Sequence, residues 1–149
     1  MDSLRKIGVI ARSLDSISNI EFKEYELSKG QYLYLVRIGE KPGIFLQQLC
    51  EMICVDKTTG SRAVNNLVKA NLIRKEISKN NRKNQLLYLT EKGKEMYDIV
   101  DRENKYSNEV ALNGFSASER KLFNQLLDKA KDNVVKDWQK VKRGEKRDY

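Results

Sequence analysis

Apolar residues recur at three- and four-residue spacing over residues 2–20, where Leu4, Ile7, Ile10, Ala11, Leu14 and Ile17 fall on one side of a helix. A connector with Phe22 and Tyr25 follows. Ser28 precedes Gln31 by three, which predicts a capping-box start, and Tyr32, Leu35, Val36 and Ile38 carry the helical period onward. Gly39 to Gly43, with Pro42, breaks that helix, and Ile44 is placed in a short strand. Residues 45–53 form the next helix, packing Leu46, Leu49, Cys50 and Ile53. Asp56 then caps a helix that turns Ala63, Val64, Leu67 and Val68 inward. Thr58, Thr59, Ser61, Arg62, Asn65 and Asn66 are left outward or beside the core, and Asn71 ends the helix because asparagine tolerates the left-handed conformation.

The period then changes. Ile73 to Ile77 alternates apolar and charged residues as a half-buried strand should, and Gln85 to Leu89 alternates back. Thr90 caps a long helix to about Asn113, and Gly114 breaks it. Ser116 with Glu119 forms a second capping box, and the last helix packs Leu122, Phe123, Leu126, Leu127, Ala130, Val134 and Trp138. The tail from Lys142 is charged and frayed. The predicted fold is mainly α with a small β-hairpin: a helix-turn-helix with a wing over 28–93, within one domain of 149 residues, flanked by helices over 1–20 and 94–143.

Charge sharpens this picture by its position. The net charge is +8, and residues 56–83 hold Lys57, Arg62, Lys69, Arg74, Lys75, Lys79, Arg82 and Lys83 against Asp56 and Glu76. Eight minus two leaves +6 in this segment, the footprint of a polyanion site, although basic runs are often only solvated faces. The chain has no histidine, which removes imidazole catalysis and histidine-ligated metal sites. Two cysteines alone cannot build a structural zinc site, so neither metal nor cofactor is implied. No apolar run approaches the roughly 20 residues that span a bilayer, and Asp2, Arg5 and Lys6 interrupt any signal-peptide core. These features predict a cytoplasmic protein with reduced thiols and no membrane partner.

Asp56-Lys57-Thr58-Thr59 with Arg62, Leu67 and Leu72-Ile73, followed by Leu89-Thr90-Glu91-Lys92-Gly93, resembles the MarR family of bacterial winged-helix transcriptional regulators, over nearly the whole chain. The resemblance implies a homodimer in which the first helix and the last two interleave, with each winged domain reading half of a pseudo-palindromic site in double-stranded DNA. It also implies repression relieved by a small ligand or by thiol oxidation. Three features depart from the family pattern. The wing shows Asn81-Arg82-Lys83 in place of Asp-Arg-Arg, so the acid that orients the arginine is an amide. Gly60 replaces a small apolar residue, at a helix cost of roughly 1 kcal/mol relative to alanine. The zinc-sensing branch needs histidines, which are absent.

On these residues, Thr58, Thr59, Ser61 and Arg62 are assigned to the major groove with Asn65 beside them, and Arg62 is the best candidate for a bidentate guanine contact. Lys57, Lys69, Lys75 and Lys79 are assigned to the DNA backbone, and Arg82 or Lys83 to the neighbouring minor groove. Helix capping competes for Thr58 and Thr59, and a solvated role for Lys69 and Lys75. Phe22, Tyr25 and Tyr32 are candidate lining for a pocket that takes a small aromatic or amphipathic effector, though aromatic stripes more often form core. Cys50 and Cys54 read as small buried hydrophobes, and the first helix lacks the cysteine that the family's peroxide sensors carry there. The leading function is a dimeric repressor released by a small molecule. A winged-helix module without sequence preference and a thiol-responsive regulator remain alternatives. An enzyme is disfavoured, because no paired carboxylates occur in a pocket-like context.

Overall fold

Short polar contacts start most of the helices in the computed structural model, which describes residues 2–27 and 29–149. The Asp2 carboxylate accepts the Arg5 N–H at 3.0 Å and starts α1 (Ser3–Glu21). A single 3-10 turn at Lys23–Tyr25 leads to α2 (Gln31–Glu40). This helix begins at Gln31, two residues later than a cap at Ser28 implies, because Lys29 and Gly30 are left-handed (φ +59° and +77°); Gly30 is its N-cap, and the Gly30 N–H donates to Asn19 Oδ1 at 3.1 Å. The cap predicted at Ser28 lies outside the described residues. Then come β1 (Ile44–Phe45), α3 (Leu46–Met52), α4 (Lys57–Lys69), β2 (Ile73–Ile77), β3 (Gln85–Leu89), α5 (Glu91–Ala111) and α6 (Ala117–Lys142). Asn71, just past α4, has φ +59°, as its side chain allows.

The three strands form one antiparallel sheet in the order β1-β3-β2. Ile44 pairs with Leu87, and Lys75 pairs with the same residue from the other side. Leu87 is fully buried in this central strand, among Leu35, Ile38, Leu49, Val64, Leu67, Leu72 and Ile73. The arrangement is a winged helix-turn-helix, as the residue pattern predicts. One expectation fails in β2: only Ile73 is buried, and Ile77 is 68% exposed. β2 is an edge strand whose base reaches the core, while its far end carries the hairpin loop beyond it.

A knot of backbone contacts joins the sheet to α5. The Thr90 N–H donates to the Leu72 carbonyl at 3.0 Å, the Thr90 hydroxyl donates to the Asn71 carbonyl at 2.6 Å, and the Gly93 N–H donates to Thr90 Oγ1 at 3.0 Å. A Cβ on Gly93 would lie 2.0 Å from the Leu72 carbonyl oxygen, so only glycine fits here.

Residues 1–107 and 108–149 form two compact units. In the second, the Ser116–Glu119 capping box starts α6. Arg120 grips Glu109 through both carboxylate oxygens (3.0 and 2.9 Å) and donates to the Leu112 carbonyl at 3.2 Å. Phe115 and Phe123 meet edge to face at 5.5 Å. No residue of α6 is buried. The packing predicted for Leu122, Leu126 and Val134 is therefore not formed within one chain, and each is more than half exposed. In α1 likewise, Leu4, Ile7, Ile10 and Ile17 are exposed on the apolar side, where Ser18 is buried. No helix among the described residues is long and apolar enough to cross a membrane.

Gly93→Ala is expected to lower stability by roughly 1–3 kcal/mol, the usual cost of overpacking, despite alanine's better helix propensity. Urea unfolding at fixed protein concentration measures this. A neutral variant would show that the Leu72 carbonyl is free to move away.

Candidate nucleic-acid interface

The orientation of α4 is set at its start and along its inner face. The Asp56 carboxylate accepts the Thr59 N–H at 2.8 Å and the Thr59 hydroxyl at 2.7 Å. These bonds, the hydroxyl first, hold the Asp56 pKa below the ordinary carboxylate value. Gly60, Val64 and Leu67 are buried. A Cβ on Gly60 would fall 2.2 Å from Cys50 Sγ, so the glycine lets α4 lie close against α3. The departure from the family pattern at Gly60 thus has a packing reason, close helix approach.

With that face inward, the helical period turns Thr58, Arg62, Asn65 and Lys69 outward in one stripe, and all four are exposed. Asn66 is exposed beside it, while Ser61 sits on the flank, half-buried. Thr59 is exposed on the other flank, and its hydroxyl donates to Asp56, the capping role that the sequence sets against groove contact. Lys57 lies in the first turn, away from the stripe.

The β2–β3 loop is built on Asn81. Its Oδ1 accepts the Lys83 N–H at 3.0 Å, its carbonyl accepts the Asn84 N–H at 3.0 Å, and the Asn84 carbonyl accepts the Ser78 N–H at 3.0 Å. Asn81 thus orders the loop backbone and does not bind Arg82 as an acid in its place would. Lys79, Arg82 and Lys83 are exposed on this loop. Lys83 and Lys57 border a common cleft of about 240 Å³ with Gln47 and Gln85. No pattern in the chain marks those two glutamines.

Two wing cations are engaged within the protein. Arg74 stacks on the Tyr88 ring, 4.5 Å from its centroid, and pairs with Glu76. Lys75 donates its ammonium to Asn65 Oδ1 at 2.6 Å. Lys75 is therefore not a plain solvated lysine. Strand parity carries a signal for this, since Lys75 shares its side of β2 with Ile73.

The proposed effector residues divide. Phe22 and Tyr25 line an open cleft of about 1060 Å³ with Ile20, Ile99, Glu103 and Tyr106. Tyr32 does not line it. Its ring packs on Phe22 at 5.6 Å and its hydroxyl donates to Asp15 at 2.6 Å. Burial, and then this bond, push the Tyr32 pKa up. Tyr32 belongs to the core because its hydroxyl has an internal acceptor. Of the cysteines, Cys50 is buried under Gly60, but Cys54 is exposed, held at φ +55° where α3 ends.

Comparison with known proteins agrees with this geometry. The model of the MarR family matches residues 27–84. The HTH-type transcriptional regulator YybA of Bacillus subtilis (strain 168), itself uncharacterized, is 51% identical over 148 residues, 99% of both chains. A SlyA-like transcription regulator from Listeria monocytogenes is 54% identical, with a TM-score of 0.95 over 100% of this chain and 99% of its own. A MarR family regulator from the same organism, solved in complex with 26-mer DNA, has 54% identity and a TM-score of 0.97 at the same coverage.

Asp56→Ala should lower the melting temperature at pH 7 by removing the cap of α4, whereas Asp56→Asn, also a good cap, should lower it less. Because the folded-state pKa of Asp56 is depressed, its ionic contribution is present above about pH 4 and lost as pH falls through the folded value. The deficit of Asp56→Ala should therefore shrink in acid. A deficit that is constant from pH 7 to pH 2.5 would mean that the carboxylate charge plays no part in the cap.

Proposed function

We propose that this chain, which belongs to the MarR family of transcriptional regulators, binds double-stranded DNA as a homodimer, each copy setting α4 in a major groove. One observation carries the proposal: Thr58, Arg62, Asn65 and Lys69 form an exposed polar stripe on a helix whose opposite side is fixed in the core. Arg62, at the middle of the stripe, has the donor geometry for guanine O6 and N7. Lys69 and Lys57, at the two ends of α4, are placed for phosphates, and Lys57 has Lys83 across a small cleft. Arg82 on the exposed loop is the cation for the adjacent minor groove. The DNA in the complex of the Listeria relative, at 54% identity, supports the same partner here.

The DNA-binding part is residues 28–93, and residues 1–20 and 94–143 supply the dimer contacts. The support is the apolar surface left open on α1 and on α6, which a second copy would bury. A two-fold dimer sets two recognition helices on half-sites about one helical turn, roughly 34 Å, apart. The chain acts as a repressor, and the cleft at Phe22 and Tyr25 receives a small aromatic or amphipathic effector that weakens DNA binding. Its apolar lining by Ile20, Ile99 and Tyr106 suits such a molecule.

The test is titration of DNA fragments, starting with the region upstream of the chain's own gene, against salt and scrambled competitor. Competitor-resistant binding at two chains per site is the expected result, and loss of all binding to competitor in every fragment and in selected random DNA overturns the reading. Arg62→Ala should cost roughly 1–3 kcal/mol on the preferred site and relax one base position. Equal losses on specific and scrambled DNA would reduce Arg62 to a phosphate contact. Arg82→Ala with Lys83→Ala should flatten the salt dependence by about one or two units of slope. An unchanged slope would take the wing out of the interface.

A further inference from the structure

The hydrogen bond between Lys75 and Asn65 joins the wing to the outward stripe of α4. It follows from strand parity. Side chains alternate across a strand, so Lys75 shares its side with buried Ile73, while Arg74 and Glu76 project from the other. On that other side Arg74 lies over Tyr88, its cross-strand partner. Lys75 is too far along the edge strand to be buried, and its flexible stem carries the ammonium to the neighbouring α4. There it meets Asn65, one turn beyond Arg62.

An ammonium is a donor only, so the oxygen of the Asn65 carboxamide must face it. That fixes which way round the amide sits. Its NH2 group, with two donors, is turned from Lys75, and a positive charge stands beside its carbonyl. A free asparagine reads adenine by accepting from N6 while donating to N7. Here the N6 amino group would have to share an oxygen already bound to a cation. Guanine N7 and O6 are both acceptors, and suit the NH2 donors and the nearby charge.

We propose that Lys75 is a positioning residue for base reading: it holds the Asn65 carboxamide donor-side outward, so that Asn65 reads an acceptor edge, guanine in preference to adenine, and Lys75 itself neutralises no phosphate. This rests on α4 being the DNA-reading helix. It replaces the assignment of Lys75 to the DNA backbone.

The experiment measures base preference at every position of the selected operator for the full-length wild type, Asn65→Ala, Lys75→Met and Lys75→Gln, together with the salt slope of each. Both residues are exposed, and glutamine keeps a donor in place of the ammonium. The wild type should prefer guanine over adenine at one position of each half-site. Asn65→Ala should flatten that position, and Lys75→Met should reduce its discrimination about fivefold or more with the salt slope unchanged. Lys75→Gln should retain most of the preference. The inference is overturned if Lys75→Met weakens all sequences alike and lowers the slope by about one, the signature of a phosphate contact. It is also overturned if the position read by Asn65 favours adenine in the wild type. In both cases the wild type still selects its operator, so α4 reading stands. A wild type without any sequence preference would instead overturn both readings together.

Discussion

The close approach of α4 to α3 governs what this molecule presents to its surroundings. Gly60 lies against Cys50 Sγ with no room for a Cβ. Val64 and Leu67 continue the same contact into the core. A helix pinned along one line has no rotational freedom, so its opposite line is fixed as well. Thr58, Arg62, Asn65 and Lys69 owe their shared exposure to the burial of Gly60, Val64 and Leu67. The helix cost of glycine, roughly 1 kcal/mol, is the cost of that geometry.

The wing depends on the same anchoring. β2 enters the core at Ile73 and leaves it within two residues, so the rest of the strand is an edge with exposed side chains. Its cations then find internal partners: Arg74 on Tyr88 and Glu76, and Lys75 on Asn65. A count of charge over residues 56–83 treats these lysines and arginines alike. The structure separates those at the loop, Lys79, Arg82 and Lys83, from the two that stabilise the wing or orient a neighbour. Interactions of exposed loop charges are screened by salt, whereas a hydrogen bond that orients an amide acts through geometry.

The helices outside the winged domain are completed differently. α1 and α6 carry regular apolar spacing, yet Leu4, Ile10 and Ile17 in one, and Leu122, Leu126 and Val134 in the other, remain exposed in a single chain. Periodicity establishes that a helix has an apolar side. It carries no information on whether the surface that covers that side belongs to the same chain or to another.

The sequence by itself determined the element order, the strand limits at 73–77 and 85–89, the caps at Asp56 and Ser116, and the outward position of Arg62. Each is a local matter, set by capping chemistry, by side-chain period and by residues that tolerate unusual backbone angles. Only the tertiary structure decided that Tyr32 is core, that Cys54 is exposed, that Gly93 lies against the Leu72 carbonyl and that Lys75 reaches Asn65. These depend on pairs such as Lys75 with Asn65, or Tyr32 with Asp15, whose meeting requires two elements to be packed first. No spacing along the chain encodes the distance between side chains on separate elements, because packing of the core, and not chain connectivity, sets it.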